Sequence, residues 1–350
     1  MNKLKLYEKF GWNYTNADKY QNSWYAQKSK YSKTSYSFKI EGLDNSEIKK
    51  QSKINFEKTL MQVSKRLKSE FSISDDIFDK KIEMVCSGSG DEIQKITALH
   101  SSSLCALLFF YNIENDHLKI NIDGENVVFS KSFFEWRNPV LGNDSNIDVV
   151  LYSEKNNVVL FLESKFSEYL CGKRKLEIPY KYFENDISKE IYRKICNEGG
   201  LKSSFEKVLI TRKGKKEEFF VLECAKGNNY LEGIKQMISH YLGIINFLNE
   251  RSSERERYEK EVSINSRTRF YLGEILFDER LKNLKGTGGK TYLDKYNCEY
   301  KHLEKVLNAD ISERTEKQFK VLPEILYYSN LKAYISKYNK SAKTYYFGDE

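Results

Sequence analysis

Two carboxylates and an amine stand out near the middle of the chain: Asp148, Glu163 and Lys165. They lie in the segment 146–166 (NIDVVLYSEKNNVVLFLESKF), where two apolar runs flank Asn156 and Asn157. A hard divalent cation such as Mg²⁺ takes oxygen ligands from carboxylates, a backbone carbonyl and water. An ammonium beside such an ion can stabilise charge developing on a phosphoryl group or orient the attacking water. Charged groups in an apolar strand are costly unless they pair or bind metal. These residue types therefore point to metal-assisted phosphodiester hydrolysis with Mg²⁺, Mn²⁺ being a natural substitute. The competing reading is an Asp–Lys and Glu–Lys ion-pair cluster at a strand end.

That chemistry requires the three side chains on one face of a sheet. Side chains alternate along a strand, so Glu163 and Lys165 share a face. A two-residue loop at Asn156-Asn157, where Asn tolerates positive φ, pairs Lys155 with Val158. It sets Asp148 opposite Lys165 and diagonal to Glu163. A turn one residue earlier sets Asp148 opposite Glu163, still on the same face. An odd-length loop breaks the arrangement. The run VVLFLES is apolar on both faces, as a central strand should be.

The surrounding elements read as an α/β (α+β) fold, a mixed central sheet flanked by helices. Residues 45–70 read as a polar helix with a loose apolar stripe. The Gly/Ser break at 87–90 opens a second helix through about Tyr111, with Asp91 and Glu92 in its first turn. Strands are expected at 118–122, 127–130, 147–152, 158–166, 207–211, 219–224 and 269–277. Helices are expected at 184–196 and 231–249, and the tail from about 280 reads as mixed. Three parts follow: a basic, aromatic-rich segment 1–75, a core 76–280 and a C-terminal extension 281–350.

Composition narrows the function class. The chain has 350 residues, ample for a large core, and 40% are hydrophobic. No apolar run is long enough to span a bilayer, and the N-terminus lacks a signal-peptide pattern, so a soluble cytoplasmic protein is expected. The six cysteines are scattered, with no Cys-x-x-Cys spacing and no zinc signature. The formal charge of +8 is concentrated at the start: residues 1–70 hold 15 Lys+Arg against 7 Asp+Glu. Ten aromatics interleave with these cations in residues 1–40. That pattern suits phosphate contact and base stacking, and equally a solvated segment whose aromatics pack on the core.

Asp148 with Glu163-Ser164-Lys165 resembles the PD-(D/E)xK superfamily, the restriction-endonuclease-like nucleases. The proline of the motif's name is absent, since Ile147 precedes Asp148. Many members carry a glutamate on the helix before the catalytic hairpin, a position Glu92 fits. Glu92, Ile96, Leu99 and Ser103 would share one face of that helix. Many also carry a glutamine on a later helix, a position Gln236 fits. The surrounding element is similar to the Gln-x-x-x-Tyr of RecB-like nucleases, with His240 in place of the tyrosine. The order of the pieces resembles a family of uncharacterised bacterial restriction-endonuclease-like proteins over residues 85–280.

The resemblance implies a DNA endonuclease in which Asp148, Glu163, the Ser164 carbonyl and Glu92 hold the metal. Lys165 would stabilise charge, and Gln236 would orient Lys165 or the phosphate. It further implies restriction or phage defence and a homodimer, with repair nuclease, RNA nuclease and inactive nucleic-acid-binding module as alternatives. Other signals carry less. The run 286–291 (GTGGKT) misses phosphate-loop spacing. His100, beside Ser101–Ser103, has no partner acid and reads as small-residue packing. The charged run 251–257 reads as a solvated helix end or loop.

Overall fold

The computed structural model describes residues 45–87, 92–97, 101–140, 143–166, 175–198, 202–212, 215–223, 233–249, 258–279 and 292–348. The aromatic-rich stretch 1–44, His100, the charged run 251–257 and the glycine-rich run 286–291 lie outside the described residues. Among the described residues, no helix is long and apolar enough to cross a membrane.

The chain opens with α1 (Asn45–Ile54), α2 (Phe56–Glu70), α3 (Ile77–Cys86), α4 (Glu92–Lys95) and α5 (Ser102–Phe110). The single helix expected over 45–70 is two, because the Asn55 side chain accepts from the Lys58 N–H and starts a new helix. The helix expected from the Gly/Ser break to Tyr111 is likewise two. Ser101 caps the second piece by accepting from the Leu104 N–H at 3.0 Å. Within the run ALHSSSL, the first serine thus restarts the helix. Glu92 and Ser103 consequently belong to different helices, not to one continuous face.

Strands β1 (Leu118–Ile122) and β2 (Glu125–Phe129) form a hairpin. Then follow β3 (Lys131–Val140), β4 (Asn143–Ser153) and β5 (Val158–Lys165). Next are β6 (Lys175–Pro179), α6 (Lys181–Glu184), α7 (Asp186–Glu198), β7 (Lys202–Arg212), β8 (Lys215–Glu223) and α8 (Gly233–Asn249). The chain continues with β9 (Arg269–Leu276), α9 (Tyr292–Arg314), β10 (Gln318–Val321) and β11 (Leu326–Tyr327). A 3₁₀ turn (Tyr328–Leu331), α10 (Lys332–Tyr338) and α11 (Lys340–Phe347) complete it.

The central sheet is mixed, in the order β10-β9-β5-β4-β3, with β11 also on β9. Residues after 281 thus supply two strands of the same sheet. β5 is central, antiparallel to β4 and parallel to β9, and every one of its residues is buried. That placement is why VVLFLESK is apolar on both faces. β3 and β6 were not anticipated: the proline in each (Pro139, Pro179) and the polar residues around them mask the strand pattern. β6, β7 and β8 make a separate three-stranded sheet.

The β4–β5 ladder pairs Ser153 with Val158 and Val149 with Leu162. The loop therefore spans 154–157, and the two-residue Asn156-Asn157 loop, with Lys155 opposite Val158, is not the one formed. Asn157 takes the positive φ, at 52°. Asn156 instead braces the turn: it accepts from the Ser153 hydroxyl and donates to Glu125. A four-residue loop keeps the parity and realises the earlier-turn register. One step beyond Val149↔Leu162, that register sets Asp148 opposite Glu163.

Helix α8 packs on β3 and β4. Gly243 permits the approach, since a Cβ there would come within 2.9 Å of both Asn138 Cβ and Val140 Cγ2. Trp136 anchors the same side of the core, stacked on Tyr258 with ring centroids 3.4 Å apart. Helix α5 packs against β4 and β5. There Phe109, Tyr328, Phe277 and Tyr346 form a continuous aromatic cluster.

Candidate active site

Glu163 and Lys165 point from β5 toward α8, as their two-residue spacing requires. Lys165 Nζ lies 2.5 Å from Glu163 Oε1 and 2.6 Å from Gln236 Oε1. Gln236 Nε2 donates to the same Glu163 oxygen at 2.8 Å. The other Glu163 oxygen, Oε2, is 2.7 Å from His240 Nε2. Gln236 and His240, four residues apart on α8, thus reach one carboxylate together. Gln236 is itself exposed, so this cluster borders solvent on the α8 side.

Ser164, between them, faces the other way. Its hydroxyl meets the Tyr328 hydroxyl at 2.8 Å and the Ser102 carbonyl at 3.2 Å. The C-terminal 3₁₀ turn and α5 therefore clamp the strand from behind the acid–lysine pair. The Ser164 N–H donates to Asp148 Oδ2 at 2.8 Å, fixing the third residue of the triad beside the strand.

Glu92 accepts from the Ser103 hydroxyl at 2.7 Å and lies 3.7 Å from the Lys95 ammonium. Its charge is felt at Glu135, an acid the sequence reading missed. Glu135 occupies the β3 position opposite Asp148 in the β3–β4 register, between the pairs Phe134↔Val149 and Trp136↔Ile147. Its backbone is left-handed, with φ at 50°, an uncommon state for a residue with a Cβ. Burial, then the neighbouring Glu92 and Glu163 charges, push its carboxyl up to about 8.

A second acid was missed on the opposite flank. Glu274 pairs with Glu163 across the β5–β9 ladder. Glu135, Asp148, Glu163 and Glu274 thus form one row across four strands. Glu274 is buried, and desolvation lifts its carboxyl to about 7 against the pull of Lys165. Tyr296 from α9 stands beside it. Both crowd Gly233, where a Cβ would come within 2.3 Å of Tyr296 Oη and 2.8 Å of Glu274 Oε1. A lone acid in an apolar strand flagged Glu163; the same signal was present in FFEW and YLGEIL.

The row is electrostatically uneven. Desolvation, then Glu163, raises the half-buried Asp148 well above its ordinary range. Burial acts on Glu163 in the same direction, but Lys165 and then His240 outweigh it and hold the carboxyl down to about 2. One lysine thus neutralises one acid and leaves the others crowded.

Among the described residues, no group of three or more His, Cys, Asp and Glu is close enough to hold a metal as it stands. Mg²⁺ does not require one: it keeps several waters and binds through one or two carboxylates plus substrate phosphate. An ionised carboxylate offers about four lone-pair positions. Glu163 receives two donors on Oε1 and one on Oε2, and Asp148 receives one on Oδ2. Asp148 Oδ1 and one Oε2 position of Glu163 remain, on adjacent strands, for a hard cation. Such an ion would offset the burial, and then the neighbouring carboxylate charges, that raise Asp148 and Glu135. Carboxylate oxygens are the donor type that Mg²⁺ or Mn²⁺ takes. No protein-family model, curated protein or solved structure matches this chain.

Proposed function

We propose that this chain is a Mg²⁺-dependent nuclease that hydrolyses phosphodiester bonds in DNA, acting in restriction or phage defence. The observation that carries the reading is the convergence of Asp148, Glu163, Lys165 and Gln236 at an end of the sheet where Gln236 is exposed. Asp148 and Glu163 would hold the ion, with the Ser164 carbonyl and Glu92 completing its shell directly or through water. Bound there, Mg²⁺ supplies Lewis-acid polarisation of the phosphate and a more acidic water. Lys165 carries the ammonium that contacts Glu163. Sharing Glu163 Oε1 with Gln236, it stands where negative charge on a scissile phosphate would be stabilised. Gln236 holds that ammonium in place and offers its exposed amide to the phosphate.

A second reading has its own observation. Glu163 and Lys165 are buried and already paired, so the cluster also suits a structural ion pair inside a nucleic-acid-binding module. Incubation of the pure protein with plasmid, linear and single-stranded DNA, with Mg²⁺ or with EDTA, separates the two. The nuclease reading expects Mg²⁺-dependent cleavage; the module expects retarded but intact DNA under both conditions.

A further inference from the structure

His240 stood in the sequence as a departure from the glutamine-and-tyrosine pattern, and the triad leaves it without a task. It is 3% exposed, with both ring nitrogens engaged: Nε2 at 2.7 Å from Glu163 Oε2 and Nδ1 at 2.6 Å from Ser145 Oγ. Ser145 is itself buried, at 4%. Helix α8 can bring His240 that close to β4 because Gly243 has no side chain to collide with Asn138, Val140 and Ser145.

The donor pattern assigns the ring. Glu163 already takes donors from Lys165 and Gln236, so it is an acceptor at its other oxygen. His240 Nε2 must then carry the hydrogen. Nδ1 then meets the Ser145 hydroxyl, which can serve as donor or acceptor to it.

We infer that His240 is a positioning residue, and that the chain Ser145–His240–Glu163 fixes which Glu163 lone pair faces a divalent cation. This rests on the metal reading above. Lys165 and Gln236 both grip Oε1, so without His240 the carboxylate can turn about its terminal bond. Outer-shell partners of this kind typically change metal affinity about 10- to 100-fold when removed.

The test compares His240→Gln with His240→Asn in the full-length protein. Mn²⁺ binding is followed by titration calorimetry, and thermal melting reports the fold. The Gln amide nitrogen reaches the place of Nε2, whereas the Asn amide reaches only that of Nδ1. Mn²⁺ affinity should fall at least about tenfold in His240→Asn and by a smaller, intermediate factor in His240→Gln, which keeps a donor to Glu163 but loses the Ser145 contact. Ser145→Ala should weaken Mn²⁺ binding by an intermediate factor, and it carries the test should His240→Asn fail to fold. Equal affinity of His240→Asn and His240→Gln, or wild-type affinity in Ser145→Ala, overturns the inference. Wild-type protein that binds no Mn²⁺ overturns the metal reading itself and the inference with it.

Discussion

Among the described residues, Lys165 is the one lysine or arginine in contact with Glu163, and it shares an oxygen with Gln236. Gln236 makes two hydrogen bonds there, one to each member of the pair. Gln236→Ala should therefore loosen the Lys165 ammonium without removing a ligand. Cleavage should slow by about 10- to 100-fold, the range for residues that orient metal ligands, with DNA affinity nearly unchanged. Rates from single-turnover assays check this; an unchanged rate would remove Gln236 from the site. Glu92 is held by Ser103 and Lys95, and its charge is felt at Glu135, so a smaller effect is expected of Glu92→Gln in the same assay.

At the scale of elements, the site depends on the irregular residue of β3 and the close approach of α8. Glu135 carries a carboxyl pushed up to about 8 from an ordinary 4.5. Between those values the folded protein binds more protons than the unfolded chain, so stability falls as pH rises. Metal-free protein should lose stability from about pH 5 to pH 8, and Glu135→Gln should flatten that decline. Since Glu135 is only half-buried, the effect should be on the order of 1 kcal/mol. Denaturant melts at both pH values read it; parallel pH dependence in wild type and variant would contradict it. Gly243→Ala should cost about 1–3 kcal/mol through overpacking against Asn138 and Val140. It should also lower cleavage, because Gln236 and His240 ride on the same helix. A fully stable, fully active Gly243→Ala protein would contradict that packing.

The same elements show what the residues alone could convey. Glu163 and Lys165 were legible because a two-residue period in an apolar run leaves little choice of face, and Asp148 followed from an even-length loop. The loop's actual length was not legible: the four-residue loop is held by the Asn156 side chain, which bonds Ser153 and also Glu125 from β2, distant in sequence. Glu135 carried the same lone-acid signal as Glu163, but its place in the row was hidden because β3 was not anticipated and its left-handed backbone has no sequence mark at a glutamate. Glu274 required knowing that β9 lies beside β5, a parallel pairing across more than a hundred residues. The interruption between α4 and α5 turns on a serine cap, which competes evenly with continued helix in a run of three serines.

Across the whole molecule, charge should govern how DNA is held. The early helices α1 and α2 expose Lys49, Lys50, Lys53, Lys58, Lys65 and Arg66. DNA binding should weaken steeply with salt, the log–log slope dropping by about 0.9 for each phosphate contact removed on duplex DNA. Deleting residues 1–40 should flatten that slope; an unchanged slope would mean that this stretch contributes no phosphate contacts. Cleavage itself should rest on far fewer residues. In the proposed nuclease Lys165 would be one cation among many for binding, while its effect would be realised as charge develops in the transition state. Plasmid cleavage by wild type, Lys165→Ala and Asp148→Ala, each with Mg²⁺ or EDTA, is the most direct test. Wild type should cut with Mg²⁺ only. Lys165→Ala should lose about a hundred- to a thousandfold in rate with binding intact, and Asp148→Ala at least as much. Cleavage at the wild-type rate by both variants, or plasmid left intact by wild type in Mg²⁺, would contradict the assignment.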